Sequence, residues 1–225
     1  MKKKYQVFIS STYRDLEKER MAVTQCLLDN DCIPVGMEQF PASGMSQMEY
    51  IKKLLDDCDY YILISAGRYG SLDEDGVGFT EKEFDYAVSI GIPVMAFLVD
   101  DIGNLPSNKC ESSDDGRKRL NAFREKVKNE RLVSFFDNTE SLKAKVITSI
   151  HKAIIDSPRP GWIRGDSIKI SKDLEEQVMD IVRRNTTYAS KEDIEALFDK
   201  VPKIRYGSGE PPADLKEGEI YLQYE

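Results

Sequence analysis

Apolar residues in this chain come in short runs that alternate with helical stripes. Tyr5–Ser10 is a β-branched and aromatic run, and after Ser-Ser-Thr the residues Leu16, Met21, Val23, Leu27 and Leu28 recur at helical spacing. Cys32–Val35 is a second short run, followed by a turn-rich loop over Gly36–Gly44 and a helix marked by Met48, Ile51, Leu54 and Leu55. Tyr60–Ser65 is apolar almost throughout, the pattern of a strand covered on both faces. Phe84, Ala87, Val88 and Ile90 then form the stripe of a third helix, which Gly91 stops. Ile92–Val99 and Leu132–Phe136 read as further strands, with a charged helix around Leu120, Phe123 and Val127 between them. A helix from Thr139 to about Ile155 ends before Pro158-Arg159-Pro160-Gly161.

Five strands alternating with helices predict an α/β, flavodoxin-like fold: a parallel sheet of order 2-1-3-4-5 with right-handed crossovers and helices on both faces. In that order the crevice opens where strands one and three part. The Ser10-Ser11-Thr12 loop is then expected to face the Ser65–Gly70 loop.

The pattern changes beyond Trp162. Ile170, Leu174, Val178 and Ile181 space a helix with one apolar stripe, Ser190 and Asp193 open a shorter one, and Glu219–Tyr224 reads as a single strand. Two parts are expected, an α/β domain over 1–165 and an appendage over 166–225. A lone stripe and a lone strand both need partners, so the appendage is expected to support a homo-oligomer or docking.

Charge and composition narrow the chemistry. With 225 residues and a formal net charge of −8, the chain lacks the basic surplus of an obligatory nucleic-acid binder. Cys26, Cys32, Cys58 and Cys110 have no C-x-x-C spacing and His151 is the single histidine, which argues against a metal site and for reduced thiols in the cytoplasm. No run reaches membrane-spanning length.

The stretch Asp59–Leu98 holds most of the candidate chemistry. In its glycine loop, Gly67, Arg68, Tyr69 and Gly70 offer backbone N–H groups and a guanidinium to a phosphate, although a plain glycine turn explains them equally well. Thr80 is expected to cap the next helix, with Glu81 and Glu83 complementing its positive end. Alternatively, one of these carboxylates serves a ribosyl carbon as its base departs. Ser10, Ser11 and Arg14 lie nearest the expected crevice, Glu38 is a further carboxylate at its mouth, and Phe40 and Tyr69 are stacking candidates or packing residues. Asp15, Glu17, Glu19 and Arg20 read as a solvated charged helix face, Cys58 as core, and His151 as structural.

Val7-Phe8-Ile9-Ser10-Ser11-Thr12-Tyr13-Arg14-Asp15-Leu16, Phe40-Pro41-Ala42, Asp56-Asp57-Cys58-Asp59-Tyr60, Gly67-Arg68-Tyr69-Gly70, Gly91-Ile92-Pro93-Val94 and Gly161-Trp162-Ile163 together resemble a bacterial TIR-like domain family of unknown function over about residues 4–165. The wider superfamily contains TIR domains and nucleoside 2-deoxyribosyltransferases, which use a glutamate to break N-glycosidic bonds. Thr80-x-x-Glu83-x-x-Tyr86-Ala87 is similar to the transferase pattern and implies Glu83 as the catalytic carboxylate, with Glu81 secondary. Phe79 and Asp85 replace glycines of that pattern, and Val77 stands where an aspartate is expected, so nucleoside transfer ranks behind NAD cleavage. The resemblance implies a nucleotide-binding domain with NAD as substrate and no required cofactor, active in bacterial defence or phage-related signalling. The competing expectation is a non-catalytic assembly module of the same fold.

Overall fold

Gln6–Ser11 (β1), Ile33–Val35 (β2), Tyr60–Ser65 (β3), Val94–Val99 (β4) and Val133–Phe136 (β5) form one parallel sheet in a computed structural model, which describes residues 3–36, 46–164, 204–207 and 220–223. Its order is β2-β1-β3-β4-β5, the flavodoxin-like arrangement read from the alternation of elements. Phe8 lies beside Tyr61, Ser10 beside Leu63, and Leu98 beside Phe135.

Among the described residues a helix follows each strand of this sheet: Tyr13–Asp29 (α1), Gln47–Asp56 (α2), Phe79–Ser89 (α3), Asp114–Glu130 (α4) and Thr139–Asp156 (α5). The alternation of strand side chains sorts the core into two clusters. Val7, Ile9, Ile62 and Ile64 pack with Leu16, Val23 and Leu27 of α1 and Leu142, Val146 and Ile150 of α5. On the other face Phe8, Tyr61 and Leu63 pack with Ile51 and Leu55 of α2, Phe84 and Ala87 of α3, and Leu120, Phe123 and Val127 of α4. Every residue of β3 is buried, which is why that strand reads as an unbroken apolar run.

Three local readings are revised or extended. First, α3 begins earlier than expected: its N-cap is Gly78, so Thr80 lies inside the first turn and Glu83 a full turn in. Second, the glycine-rich loop after β3, read as a phosphate cradle or a plain turn, continues into a segment with a short bridge of its own. Leu72 and Gly78 form an antiparallel bridge, and Asp73 Oδ1 accepts from the N–H groups of Asp75 and Val77. Third, the strand expected alone near the C-terminus has a partner in its own chain, since Ile204–Gly207 (β6) and Ile220–Gln223 (β7) pair in parallel.

The chain divides into two compact units, Lys2–Trp162 and Ile163–Glu225. The helices expected around Ile170–Ile181 and Lys191–Lys200 lie outside the described residues. Among the described residues no helix is long and apolar enough to cross a membrane.

Candidate functional site

The loops that leave the C-terminal ends of β1 and β3 part around a cleft of about 660 Å³. Ser11, Thr12, Arg14 and Asp15 line it from the β1 side, Arg68, Gly70 and Ser71 from the β3 side, and Thr80 and Glu83 from α3. This is the switch point of the sheet, where neighbouring crossovers run to opposite faces and leave strand ends uncovered.

Glu83 reaches it by an unusual route for a charged residue. It lies between the buried positions Thr80, Phe84 and Ala87 of α3, and is itself only 1% exposed. Ser10, equally buried at the end of β1, donates its hydroxyl to Glu83 Oε2 at 2.5 Å. The phenol of Tyr61 is close by. Its pKa is pushed well above the ordinary tyrosine value, first by burial and then by the charge of Glu83. A carboxylate fixed by a hydroxyl at the rim of a cleft can stabilise or capture an electron-poor sugar carbon.

The opposite sign of charge also borders the cleft. Arg14 is exposed, while Arg68 is half-buried and tied to the protein through one donor, from Nη2 to the Asn108 carbonyl at 2.8 Å. Arg20 also lines it, yet is only 5% exposed: Nη1 donates to the Ile9 carbonyl at 3.2 Å and to Ser11 Oγ at 2.8 Å. It thereby holds the Ile9 carbonyl and the Ser11 side chain, on either side of Ser10. Gly70 has φ of +96°, a conformation that favours glycine, and a Cβ there would press on the Thr12 methyl.

Asp15 and Arg20 overturn the reading of a solvated charged face. Leu16 has non-helical φ/ψ of −116° and 18°, so the first turn of α1 is offset from the rest and Asp15 swings inward to 1% exposure. Neither Asp15 oxygen forms a hydrogen bond, and the Thr12 hydroxyl is also buried without a hydrogen-bond partner. Burial pushes the Asp15 carboxyl above its ordinary range. The nearby Thr12 hydroxyl and Asp15 N–H oppose that rise without reaching hydrogen-bond geometry, and Arg68 and Lys109 oppose it through their charge. For Arg20 the sequence did carry a signal, because it shares the stripe of Leu16, Val23 and Leu27.

Other predicted residues lie elsewhere. Glu81 accepts the Tyr69 hydroxyl at 2.6 Å and pairs with Lys126 at 3.0 Å, so its carboxylate serves the α3–α4 contact. Tyr69 is 5% exposed, packs edge-on against Phe123 and is absent from the cleft wall. Gly67 is absent from the cleft wall: its carbonyl accepts from the Glu111 N–H at 2.8 Å, and a Cβ would overlap the Lys109 carbonyl. Glu38 and Phe40 lie outside the described residues. Cys58 is buried, its thiol pushed up to about 12 chiefly by that burial, which leaves it inert. His151 is exposed on α5. Among the described residues no group of three or more His, Cys, Asp or Glu is placed to hold a metal ion.

Comparison with solved structures finds the TIR domains of the activated Roq1 resistosome directly recognizing the pathogen effector XopQ. They are 18% identical over 67% of this chain and 99% of theirs, with a TM-score of 0.43. A search of curated proteins returned no match. Residues 6–151, well over half of the chain, match the model of a family described as Domain of unknown function (DUF4062), and the chain belongs to that family.

Proposed function

We propose that the cleft binds a nucleotide, NAD in the first instance, and that Glu83 serves hydrolysis of its N-glycosidic bond. The observation that carries this reading is the placement of Glu83: buried, held by Ser10, and bordering the same cleft as Arg14 and Arg68. In the reaction the bond between the ribose carbon and the pyridinium nitrogen breaks, and its electron pair leaves with nicotinamide, which becomes neutral. Glu83 stabilises or captures the oxocarbenium-like carbon, water supplies the new oxygen, and one proton is released. The guanidinium groups of Arg14 and Arg68 suit the diphosphate. Self-association through residues 166–225 and a role in bacterial defence or phage-related signalling belong to the same proposal.

Purified full chain incubated with NAD is expected to release nicotinamide. Glu83→Gln should lower the rate by on the order of 10²-fold or more, whereas Glu81→Gln should stay within a few-fold because that carboxylate is occupied by Tyr69 and Lys126. No release at high protein concentration, together with no nucleotide binding, would overturn the proposal and leave the non-catalytic assembly module standing.

A further inference from the structure

Asp15 has no part in the chemistry just described, and its place in the first turn of α1 does not require that it be buried. A carboxylate buried without hydrogen bonds is a net cost to the folded state. Neither of its oxygens, nor the Thr12 hydroxyl beside it, reaches hydrogen-bond geometry with any group, although the Thr12 hydroxyl and the Asp15 N–H lie near enough to favour the charged carboxylate. The cations that face Asp15 do not bond it: Arg68 Nη2 is turned to the Asn108 carbonyl, and Lys109 is 3.5 Å from Glu19. Asp15 and Thr12 both lie on the wall of the cleft. Two acceptor oxygens and a hydroxyl, placed at the cleft wall and short of hydrogen-bond geometry with the protein, suit a ligand that brings donors.

Among ligands that also carry a phosphate for Arg14 and Arg68, the group that offers two adjacent donors is a ribose. Carboxylates recognise its vicinal hydroxyls in dinucleotide sites of other open α/β sheets. We propose that Asp15, with Thr12, receives the 2′- and 3′-hydroxyls of a ribose, so that the cleft takes ribonucleotides with a free diol and rejects 2′-phosphorylated or 2′-deoxy forms. The rejection has a physical basis. A 2′-phosphate would set an anion against a buried carboxylate, and a deoxy sugar would leave that carboxylate unpaired. This inference rests on the nucleotide reading of the cleft but not on turnover.

The test uses the full chain carrying Glu83→Gln, so that ligands persist, and measures binding by calorimetry. The probes are NAD, NADP and an NAD analogue with a 2′-deoxy nicotinamide ribose; NADP masks the adenosine-side diol and the analogue removes the other. One of the two modified ligands is expected to bind about ten- to hundredfold more weakly than NAD, which identifies the ribose at Asp15. Adding Asp15→Asn should weaken NAD by a similar factor while leaving that modified ligand unchanged. Equal binding of all three ligands to the Asp15-containing chain would overturn the inference, as would an Asp15→Asn loss of the same size for every ligand. If NAD binds and Asp15→Asn has no effect, the ribose assignment falls and the nucleotide reading survives. If neither the wild-type chain nor Glu83→Gln binds any of them, both fall.

Discussion

Three charged residues, Arg20, Glu83 and Arg124, sit among the apolar positions of their helices, and each reaches the C-terminal edge of the sheet. Arg20 bonds the Ile9 carbonyl, Glu83 takes the Ser10 hydroxyl, and Arg124 donates to the Val99 carbonyl at 2.7 Å. A buried charge survives only where such partners satisfy it. Asp15 is the counterexample, and it makes a prediction about stability. Its folded pKa is raised above the ordinary value, so the folded state holds a proton more tightly than the unfolded chain does. Stability from this group is therefore present at low pH and is lost as pH rises from the unfolded value of 3.8 through the folded one. Asp15→Asn should accordingly stabilise the protein at pH 7, by about 1–3 kcal/mol, and the advantage over wild type should shrink as pH falls towards 4. Denaturant unfolding of both proteins at the two pH values checks this. A destabilised variant at neutral pH would mean that the carboxylate holds the fold together. Glu83 was legible from its motif. Asp15 was not, because side-chain spacing assumes an unbroken helix and the break at Leu16 has no proline or glycine to announce it.

The elements themselves were readable because parallel strands covered on both faces become apolar runs, as in Tyr60–Ser65, and because helix stripes alternate with them. What the pattern could not carry is how loops distant in sequence dock on one another. The loop after β3 leans on the segment after β4: the Tyr69 N–H donates to Glu111 Oε1 at 2.8 Å, while the Gly67 carbonyl accepts from the Glu111 N–H. Gly67 was read as part of a phosphate cradle or, equally well, of a plain glycine turn. A Cβ there would overlap the Lys109 carbonyl, so glycine is what lets the two backbones lie this close. Adding one methyl there forces backbone apart rather than displacing a flexible side chain. Gly67→Ala should therefore cost about 1–3 kcal/mol in denaturant unfolding, and should weaken NAD binding by displacing Arg68. A variant of unchanged stability would show that the loop accommodates the methyl, and would remove the steric reason for glycine at this position.

At the scale of the molecule, the five-stranded topology followed from counting alternating elements, whereas the pairing of β6 with β7 did not, since Ile204–Gly207 carries no run long enough to stand out. Among the described residues the two core clusters are drawn from the unit Lys2–Trp162, which has a core of its own on both faces of its sheet and so the means to fold alone. Where it can be cut is set by the segment that follows α5. The Tyr60 hydroxyl donates to the Ser157 carbonyl at 3.0 Å, and the Gly161 N–H donates to Asp59 Oδ1 at 3.0 Å. Asp59 Oδ2 in turn accepts from the Gln6 N–H at 2.9 Å, so this one carboxylate ties the exit of the unit to the start of β1. A chain ending at Arg164 retains all three bonds and should unfold cooperatively within a few degrees of the midpoint of the same unit in the full chain. One ending at Asp156 loses the two that reach beyond α5, leaves a buried-edge carboxylate half-satisfied, and should melt lower. If residues 166–225 assemble the protein, as proposed, light scattering will show the chain ending at Arg164 at a smaller multiple of its own mass than the full chain. An unchanged multiple greater than one would place the self-association surface on the α/β unit itself, and a monomeric full chain would remove the proposed assembly.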